Sequence, residues 1–354
     1  MSPDHQMPDT DALFFTSLVT PEAIAENRTR LAGTISAIAA AIAKSPRPRL
    51  YFIGGGASNA AMHGAKYLLD RFSAVPADVL TGWQFISRNP AFLDENAFLF
   101  LTSYSGQTPE VLQCREIAKS AGANVIAITD TTATPLAQGA DWVLDYRSKA
   151  VFTVPLALVY LIAGEVIRAR GENARAASEI IDGVARLPDL IAPIATSSDP
   201  LARALAAQVG DVNTVYVIGG GPNYGLAYKL ALSVVIENLW LDSTAIDSGE
   251  FYHGPIEIIS GNPEQDRSRA FLHLVGTDAS RTVSEQAIAF CTAKNARQLI
   301  FDARDYPGFG ELFAPFALFV PTEWWVMHMA AQKNHDVDER RYMGKIGARW
   351  GEYA

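Results

Sequence analysis

Residues 49–69 read RLYFIGGGASNAAMHGAKYLL, and residues 214–234 read TVYVIGGGPNYGLAYKLALSV. In each stretch, a short run of β-branched and aromatic residues is followed by three glycines and then by a long segment of helical character. This order is typical of a β-strand, a tight turn and the start of a helix. Because Gly54 aligns with Gly219, we predict that the chain contains two copies of one structural unit.

The segments that follow the two glycine turns also correspond. Residues 97–130, AFLFLTSYSGQTPEVLQCREIAKSAGANVIAITD, predict a strand, a polar loop, a helix and a strand. Residues 270–303, AFLHLVGTDASRTVSEQAIAFCTAKNARQLIFDA, follow the same order. Alternating strands and helices indicate a parallel sheet covered on both faces. We therefore predict an α/β protein with two similar domains.

The boundaries of the domains follow from composition. A length of 354 residues suits two domains. LPDLIAPIATSSDP contains three prolines and a pair of serines, which favours a linker between the halves. The expected organisation is an N-terminal helical segment (1–45), a first domain (46–186), the linker (187–200) and a second domain with a C-terminal tail (201–354).

Composition also narrows the function classes. The formal net charge of −9 argues against a nucleic-acid surface, which needs a basic patch. The N-terminus lacks a secretory signal, and the apolar run 151–167 is interrupted by Pro155 and Glu165, so it predicts a buried helix rather than a membrane span. Cys114 and Cys291 have no metal-ligand spacing and are predicted to be buried thiols. We expect a cytoplasmic protein that binds neither nucleic acid nor a membrane.

A loop rich in hydroxyl groups, TSYSGQT at residues 102–108, leaves a buried strand and opens a helix. Ligands of open α/β sheets bind at the carboxyl ends of strands, and a helix N-terminus offers free N–H groups and a favourable dipole to an anion. An ordinary N-cap needs one serine or threonine, whereas this loop has four hydroxyl residues. It predicts a phosphate site formed by Ser103, Ser105, Gly106, Gln107 and Thr108.

The glycine run GGGASN at residues 54–59 departs from the dinucleotide pattern G-x-G-x-x-G, since Asn59 takes the last position. It therefore does not favour a nicotinamide cofactor. Ser58 and Asn59 are predicted instead to donate hydrogen bonds to a sugar hydroxyl or to a phosphate at the adjacent strand end, and Gly56 is predicted to belong to the same site. In the second half, the loop at 275–282 carries Asp278, whose negative charge would repel a phosphate. We expect only the first half to bind the anion.

Two polar residues stand out after the second glycine turn. Glu237 ends the apolar segment KLALSVVIENLW, where burial would disfavour its charged form, as suits a general base near neutral pH. The alternative is a structural glutamate that is paired with Lys229. His253 lies in a loop with two glycines and a proline, and a histidine can both accept and donate a proton. Their joint placement predicts a catalytic pair.

These residues resemble the tandem sugar isomerase (SIS) family. That family carries S-x-S-G-x-T in its first half and, in its second half, a glutamate followed sixteen residues later by the histidine of G-E-[FL]-x-H-G-P. Here the corresponding stretches are SYSGQT (103–108) and GEFYHGP (249–255), with Glu237 at that offset from His253. The resemblance covers almost the whole chain. It implies two SIS domains, each a five-stranded parallel sheet between helical layers.

Within this family the chain is similar to the isomerase domain of glucosamine-6-phosphate synthase, and more closely to the fructosamine 6-phosphate deglycases. The resemblance implies that Glu237 is the base and that His253 opens the sugar ring from across the interface of a homodimer. Lys345 matches a lysine that approaches the sugar in the synthase. Leu230 replaces a glutamate of the synthase, which weakens the case for a pure aldose–ketose isomerase. The likeness to the deglycases is strongest in residues 248–258, 314–325 and 336–345.

The resemblance also implies a substrate, a 6-phosphorylated Amadori compound with an amino acid bonded to C1 of 1-deoxyfructose. Glu237 would move a proton from C1 to C2, and water would hydrolyse the resulting imine to glucose 6-phosphate and the amino acid. No metal or organic cofactor is expected. Two alternatives stay open: an isomerase or deaminase acting on glucosamine 6-phosphate or fructose 6-phosphate, and a sensor that binds sugar phosphates without turnover. The wall facing the amine is expected to contain Trp324, Trp325, Arg340, Arg341 and Tyr342.

Overall fold

The computed structural model of the chain describes residues 9–343. The strands in this range are β1 (Arg49–Ile53), β2 (Ala77–Leu80), β3 (Ala97–Thr102), β4 (Asn124–Thr129), β5 (Trp142–Asp145), β6 (Thr214–Gly219), β7 (Asp242–Ile246), β8 (Arg269–Val275) and β9 (Gln298–Asp302). The helices are α1 (Thr20–Arg30), α2 (Ala32–Lys44), α3 (Gly56–Phe72), α4 (Gly82–Arg88), α5 (Pro109–Ser120), α6 (Thr153–Ala169), α7 (Ala174–Ser197), α8 (Asp199–Val209), α9 (Tyr224–Leu230), α10 (Glu237–Leu239), α11 (Pro263–Asp266), α12 (Arg281–Ala293) and α13 (Ala314–Gln332). A π-helix, Ala231–Ile236, lies between α9 and α10.

The first sheet has the order β2-β1-β3-β4-β5, and all of its strands are parallel. Successive side chains of a strand point to opposite faces. On one face, Tyr51 and Ile53 of β1 join a buried cluster with Cys114 of α5. In the alternate register, Phe52 stacks on Phe100 of β3 with ring centroids 4.6 Å apart, and both rings are fully buried. Both faces of the sheet are therefore covered, as predicted.

The second sheet has the order β7-β6-β8-β9 and is also parallel throughout. This order repeats that of the first four strands of the first sheet, and the α/β fold class is confirmed. The expected count of five strands is wrong for the second sheet, which has four within the described residues. After β9 the chain continues as ARDYPGFGELF (303–313) in short 3₁₀ turns. Its proline and two glycines disfavour a strand that would correspond to β5.

The chain divides into two compact units. The first unit is Val19–Asp189, and the second unit joins the described part of Met1–Leu18 to the described part of Leu190–Ala354. The division falls within the segment 187–200, which is predicted to be a linker and is helical as far as Ser197. The helix continues because its apolar stripe, Ile180, Leu187 and Ile191, is fully buried on both sides of Pro188.

Two predictions about buried segments are confirmed. Helix α6, which overlaps the apolar run 151–167, is buried along nearly its whole length. Cys114 and Cys291 are buried free thiols. Burial raises the pKa of each thiol to about 12, so neither is a nucleophile at neutral pH. Among the helices of residues 9–343, none is long and apolar enough to cross a membrane.

A buried carboxylate ties the N-terminal segment to α13 in the second unit. Glu323 accepts hydrogen bonds from the backbone N–H groups of Thr16 at 3.0 Å and Ser17 at 2.7 Å. Lys229 of α9 is also buried; desolvation lowers its pKa to about 8, and the negative charge of Glu323 opposes that shift. Burial raises the pKa of Glu323, an effect that Lys229 and the hydrogen bonds oppose. Removal of either partner would leave a buried group without compensation, so this network holds the N-terminal segment in place.

We predict that His273, in the middle of β8, makes the stability of the protein depend on pH. The ring is fully buried, and neither nitrogen has a hydrogen-bond partner among residues 9–343. Burial lowers its pKa from 6.5 to about 4, so between these values the unfolded chain binds a proton that the folded chain excludes. The free energy of unfolding should therefore fall as the pH drops from 6.5 to 4, by up to about 3 kcal/mol from this residue. In His273→Leu the fall should be shallower, as measured by urea unfolding at several pH values.

Leu272→Met on the same strand is the matched control, since it alters packing without removing a titrating group. Its curve of unfolding free energy against pH should run parallel to that of the wild-type protein. Equal slopes for His273→Leu and the wild-type protein would mean that the imidazole is solvated in the folded state, contrary to the structure.

Candidate active site

In the first unit the strand order reverses between β1 and β3, because the chain passes from β1 to β2 on one side and then to β3 on the other. Ligands of doubly wound sheets bind outside the carboxyl ends of the strands at such a point. The loops 54–59 and 103–108 follow these two strands. A Cβ atom on Gly54 would lie 3.1 Å from the carbonyl oxygen of Thr102. The two loops therefore meet closely at this crevice.

Ser103 Oγ organises the loop 103–108. It accepts a hydrogen bond from the Gly106 N–H at 3.1 Å and shares a 2.8 Å hydrogen bond with Thr108 Oγ1. The Thr108 side chain does not cap α5, so the ordinary capping role of this residue is not used. Ser103 and Gly106 are buried, whereas Ser105 and Gln107 are exposed. The five residues predicted to bind phosphate thus form one ordered loop at the N-terminus of α5.

Gly106 is required by the shape of this loop. Its φ of +62° lies in the left-handed region, which favours glycine. A Cβ atom there would lie 2.4 Å from Thr134 Cβ. The Gly106 carbonyl also accepts a hydrogen bond from the Leu136 N–H at 3.1 Å. This bond holds the segment that contains Thr134 close to Gly106.

The three residues of the glycine run that are predicted to bind sugar differ in how far they are exposed. Gly56 is exposed and Ser58 is half-buried at the start of the helix. Asn59 is buried, and its Nδ2 donates a 2.9 Å hydrogen bond to the carbonyl of Leu80 at the end of β2. This amide donor is therefore used within the protein. Lys345, predicted to approach the sugar, lies outside the described residues.

In the second unit, Asp278 occupies the corresponding crevice between β6 and β8. Ser280 donates two hydrogen bonds to its carboxylate, from Oγ at 3.0 Å and from the backbone N–H at 3.2 Å. Cβ atoms on Gly221 and Gly276 would lie 2.3 and 2.4 Å from the Asp278 carboxylate oxygens. The glycine turn and the start of α12 thus enclose a negative charge that the chain itself supplies.

Glu237 begins α10 and is only partly buried, with 24% of its side chain exposed. Its Oε1 accepts a 2.7 Å hydrogen bond from Arg340 Nε. Lys229, the partner in the structural alternative for Glu237, interacts with the negative charges of both Glu323 and Glu237, and more strongly with that of Glu323. An arginine from the C-terminal segment therefore holds this carboxylate, and the neighbouring Asn238 is buried.

The π-helix immediately before Glu237 is a feature that the residue pattern did not reveal. It carries Leu232 and Ile236 exposed, and Val234 and Val235 buried. A π-helix takes up more residues per turn than an α-helix, so it rotates the residues after it, and such segments are frequent at functional sites. The direction in which Glu237 points is therefore set by this segment.

His253 lies on the turn between β7 and β8. Its backbone N–H donates a 2.9 Å hydrogen bond to the Glu250 carbonyl. Phe251 is fully buried and anchors the turn, whereas the imidazole is exposed. Gly254, with φ of +133°, allows the chain to change direction directly after it. No hydrogen bond joins the side chains of Glu237 and His253 within residues 9–343.

The chain is similar to known proteins along most of its length. The profile of the SIS domain matches residues 42–167. Fructoselysine 6-phosphate deglycase of Escherichia coli K12 is 31% identical over 314 residues, which cover 88% of this chain and 90% of that protein. Fructosamine deglycase FrlB of Bacillus subtilis 168 is 30% identical over 310 residues, which cover 84% and 92%. A Bacillus subtilis structure provisionally described as a phosphosugar isomerase superimposes with a TM-score of 0.80 at 27% identity, over 92% of this chain and 98% of that one.

This chain belongs to the SIS-domain family of the fructoselysine 6-phosphate deglycases. The resemblance inferred from the SYSGQT and GEFYHGP motifs is confirmed by the extent of this similarity. The SIS profile covers the first glycine turn and the loop 103–108. The deglycases match both halves of the chain.

Two of the five residues expected in the wall facing the amine, Trp324 and Trp325, are buried in this SIS protein. Trp325 is fully buried, and Trp324 is buried with its Nε1 donating to the Ala195 carbonyl at 2.8 Å. Arg341 lies over the Trp240 ring, 4.1 Å from its centroid. Of the five residues expected in the wall, Arg340 is the one whose contact with Glu237 is recorded in the described structure. Neither local periodicity nor a motif could have indicated this contact.

We predict that Gly106→Ala destabilises the first unit, because the methyl group would displace Thr134 and open the loop, and that it abolishes the binding of sugar phosphate expected of residues 103–108. The left-handed backbone alone should cost about 1 kcal/mol, and the collision should add about 1–3 kcal/mol. Urea unfolding measures the first effect, and calorimetric titration with glucose 6-phosphate measures the second.

Gly122→Ala is the matched control for backbone strain. Gly122 has φ of +74°, and no atom lies within 4 Å of its added Cβ. This variant should lose only about 1 kcal/mol and should bind glucose 6-phosphate as the wild-type protein does. Equal effects of the two substitutions on stability and binding would show that the contact with Thr134 is unimportant.

Proposed function

We propose that this chain is a fructosamine 6-phosphate deglycase. The substrate is a 6-phosphorylated 1-amino-1-deoxyfructose linked to an amino acid, and the products are glucose 6-phosphate and the free amino acid. The observation that carries the proposal is similarity to the deglycases over about nine-tenths of their length, in a chain that keeps Glu237 and His253 at the spacing of the family motif.

Phosphate binding is assigned to the loop 103–108. Its hydroxyls and backbone N–H groups lie at a helix N-terminus, which favours an anion without a permanent positive side chain. In the second unit, the carboxylate of Asp278 occupies the equivalent crevice, which supports a single phosphate site in the chain. Gly56 and Ser58 lie at the start of α3, on the neighbouring loop, and are proposed to contact the sugar.

The chemistry is assigned to Glu237 and His253. His253 is exposed on its turn and assists opening of the sugar ring by proton transfer. Glu237 then removes a proton from C1, next to the C2 carbonyl, and the enaminol is protonated at C2. The resulting C1 imine is hydrolysed by water. Glu237 is partly exposed directly after the π-helix, so its carboxylate can reach a ligand while its backbone stays fixed.

Similarity to a structure described as a phosphosugar isomerase favours one alternative. The same pair of residues could serve an isomerase or deaminase that acts on glucosamine 6-phosphate or fructose 6-phosphate. The two functions differ in whether a C1 amine substituent is released by hydrolysis. With the deglycase function we also propose a cytoplasmic location, a homodimer, a role for Lys345 and domain limits at 46–186 and 201–354.

We predict that Glu237→Gln lowers the release of glucose 6-phosphate from fructosamine 6-phosphates by about 10²–10⁴-fold, because an amide cannot accept the C1 proton. The measurement is an enzyme-coupled assay of glucose 6-phosphate over a panel of amines, with glucosamine 6-phosphate alongside. Glu264→Gln, at an exposed glutamate of the same unit, is the control and should keep full activity. If the protein turned over glucosamine 6-phosphate but no fructosamine 6-phosphate, it would be an isomerase or deaminase. Full activity of the Glu237→Gln variant would show that Glu237 is not the base.

The proposed homodimer makes a second prediction, because His253 from one subunit would serve the Glu237 of the other. Glu237→Gln and His253→Asn should each be inactive alone. When equal amounts are mixed and allowed to exchange subunits, half of the dimers carry one intact pair, so about one quarter of the sites should recover. Light scattering of each variant shows whether dimers are present. Dimers that exchange without recovering activity would place both residues in the same subunit's site.

A further inference from the structure

Arg340 is anchored beside the proposed base by the segment that carries it. Asn238, the neighbour of Glu237, donates from Nδ2 to the Val337 carbonyl at 2.7 Å. His335 Nε2 lies 2.7 Å from the Asn238 carbonyl oxygen. Arg340 Nη1 donates to the same Val337 carbonyl at 2.6 Å. These contacts fix the guanidinium from its own segment, so its position does not depend on Glu237 alone.

The guanidinium of Arg340 retains donors that can reach a ligand. Nε is bonded to Glu237 at 2.7 Å, and Nη1 is bonded to the carbonyls of Val337 and Glu339. Within residues 9–343, Nη2 donates no hydrogen bond, and 23% of the side chain is exposed. A guanidinium has five N–H donors in a planar arrangement that matches the oxygens of a carboxylate or a phosphate.

The position of a substrate carboxylate follows from the proposed chemistry, on which this inference rests. Glu237 must contact the hydrogen on C1, and the amine nitrogen is bonded to that carbon. In an α-linked amino acid, the carboxylate sits on the carbon directly beyond the nitrogen, roughly 4 Å from C1 by ordinary bond lengths. Within the guanidinium, Nη2 lies about 2.3 Å from Nε, and a hydrogen bond reaches about 2.9 Å further, so Nη2 can reach a carboxylate in that position. In an ε-linked lysine, the carboxylate lies at the far end of the side chain.

We propose that Arg340 is a specificity-determining residue that binds the α-carboxylate of the amino-acid part of the substrate through Nη2. One guanidinium then bridges two carboxylates, that of the base and that of the substrate. Its positive charge offsets the repulsion that the two would otherwise exert on each other. The preferred substrates are therefore α-linked amino acids, ahead of amines without a carboxylate and of ε-linked lysine.

The test uses two ligands that differ by one carboxylate, the 6-phosphates of fructosyl-alanine and of fructosyl-ethylamine. Binding is measured by calorimetric titration in the Glu237→Gln background, which suppresses turnover and keeps an oxygen that can accept from Arg340 Nε. The alanine ligand should bind about 10- to 100-fold more tightly than the ethylamine ligand, as expected of a hydrogen bond between charged groups. When Arg340→Gln is added, the ratio of the two affinities should fall close to one, because only the binding of the alanine ligand is weakened. Addition of Arg304→Gln, at an exposed arginine of the same unit, is the matched control and should leave the ratio unchanged.

Two results would overturn the assignment. An unchanged ratio in the Arg340→Gln variant would show that the carboxylate binds elsewhere or not at all. If Arg340→Gln weakened the binding of both ligands equally, Arg340 would be only a structural support for its segment. Release of glucose 6-phosphate by the wild-type protein is scored separately, so the deglycase function can fail while the binding ratio still decides the role of Arg340. Failure of both ligands to bind would count against both proposals.

Discussion

Parallel strands end at one edge of a sheet, and a reversal in their order opens a crevice at that edge. This constraint governs the first unit, where the reversal between β1 and β3 brings the loops 54–59 and 103–108 together. The rest of the sheet serves to hold these two strand ends at a fixed separation. Ser103, Gly106 and Thr108 can then form their small hydrogen-bond network without help from a distant side chain.

The second sheet repeats this order of strands and uses it for another purpose. Its crevice is filled by Asp278, which is bonded to Ser280 where the first unit has an open hydroxyl-rich loop. The polar residues proposed for chemistry are displaced to the end of the π-helix and to the turn after β7. Two copies of one architecture are therefore proposed to have taken separate tasks, anion binding in one and proton transfer in the other.

The parts of the structure that depend on local pattern could be predicted from the sequence. The strands, the glycine turns and the loop after β3 follow from residue type and period, and the meeting of two loops follows from parallel pairing. Contacts between distant segments could not be predicted, because one sequence does not show which distant residues meet. Arg340, which donates to the Glu237 carboxylate, lies 103 residues from it, whereas Lys229, which is nearer in sequence, interacts more strongly with the charge of Glu323 than with that of Glu237. The hydrogen bond from Asn59 to Leu80 could not be predicted for the same reason.

The bond between Thr16 and Glu323 joins residues that are 307 positions apart, with the N-terminal segment packed into the second unit. During synthesis at about 5–20 residues per second, the first residues would leave the ribosome roughly 15–60 seconds before their partner exists. The first unit is continuous in sequence and can fold as it emerges, whereas the N-terminal segment must wait outside it. The second unit is thus completed only after Glu323 has been synthesised, when its buried carboxylate can accept the hydrogen bonds from Thr16 and Ser17.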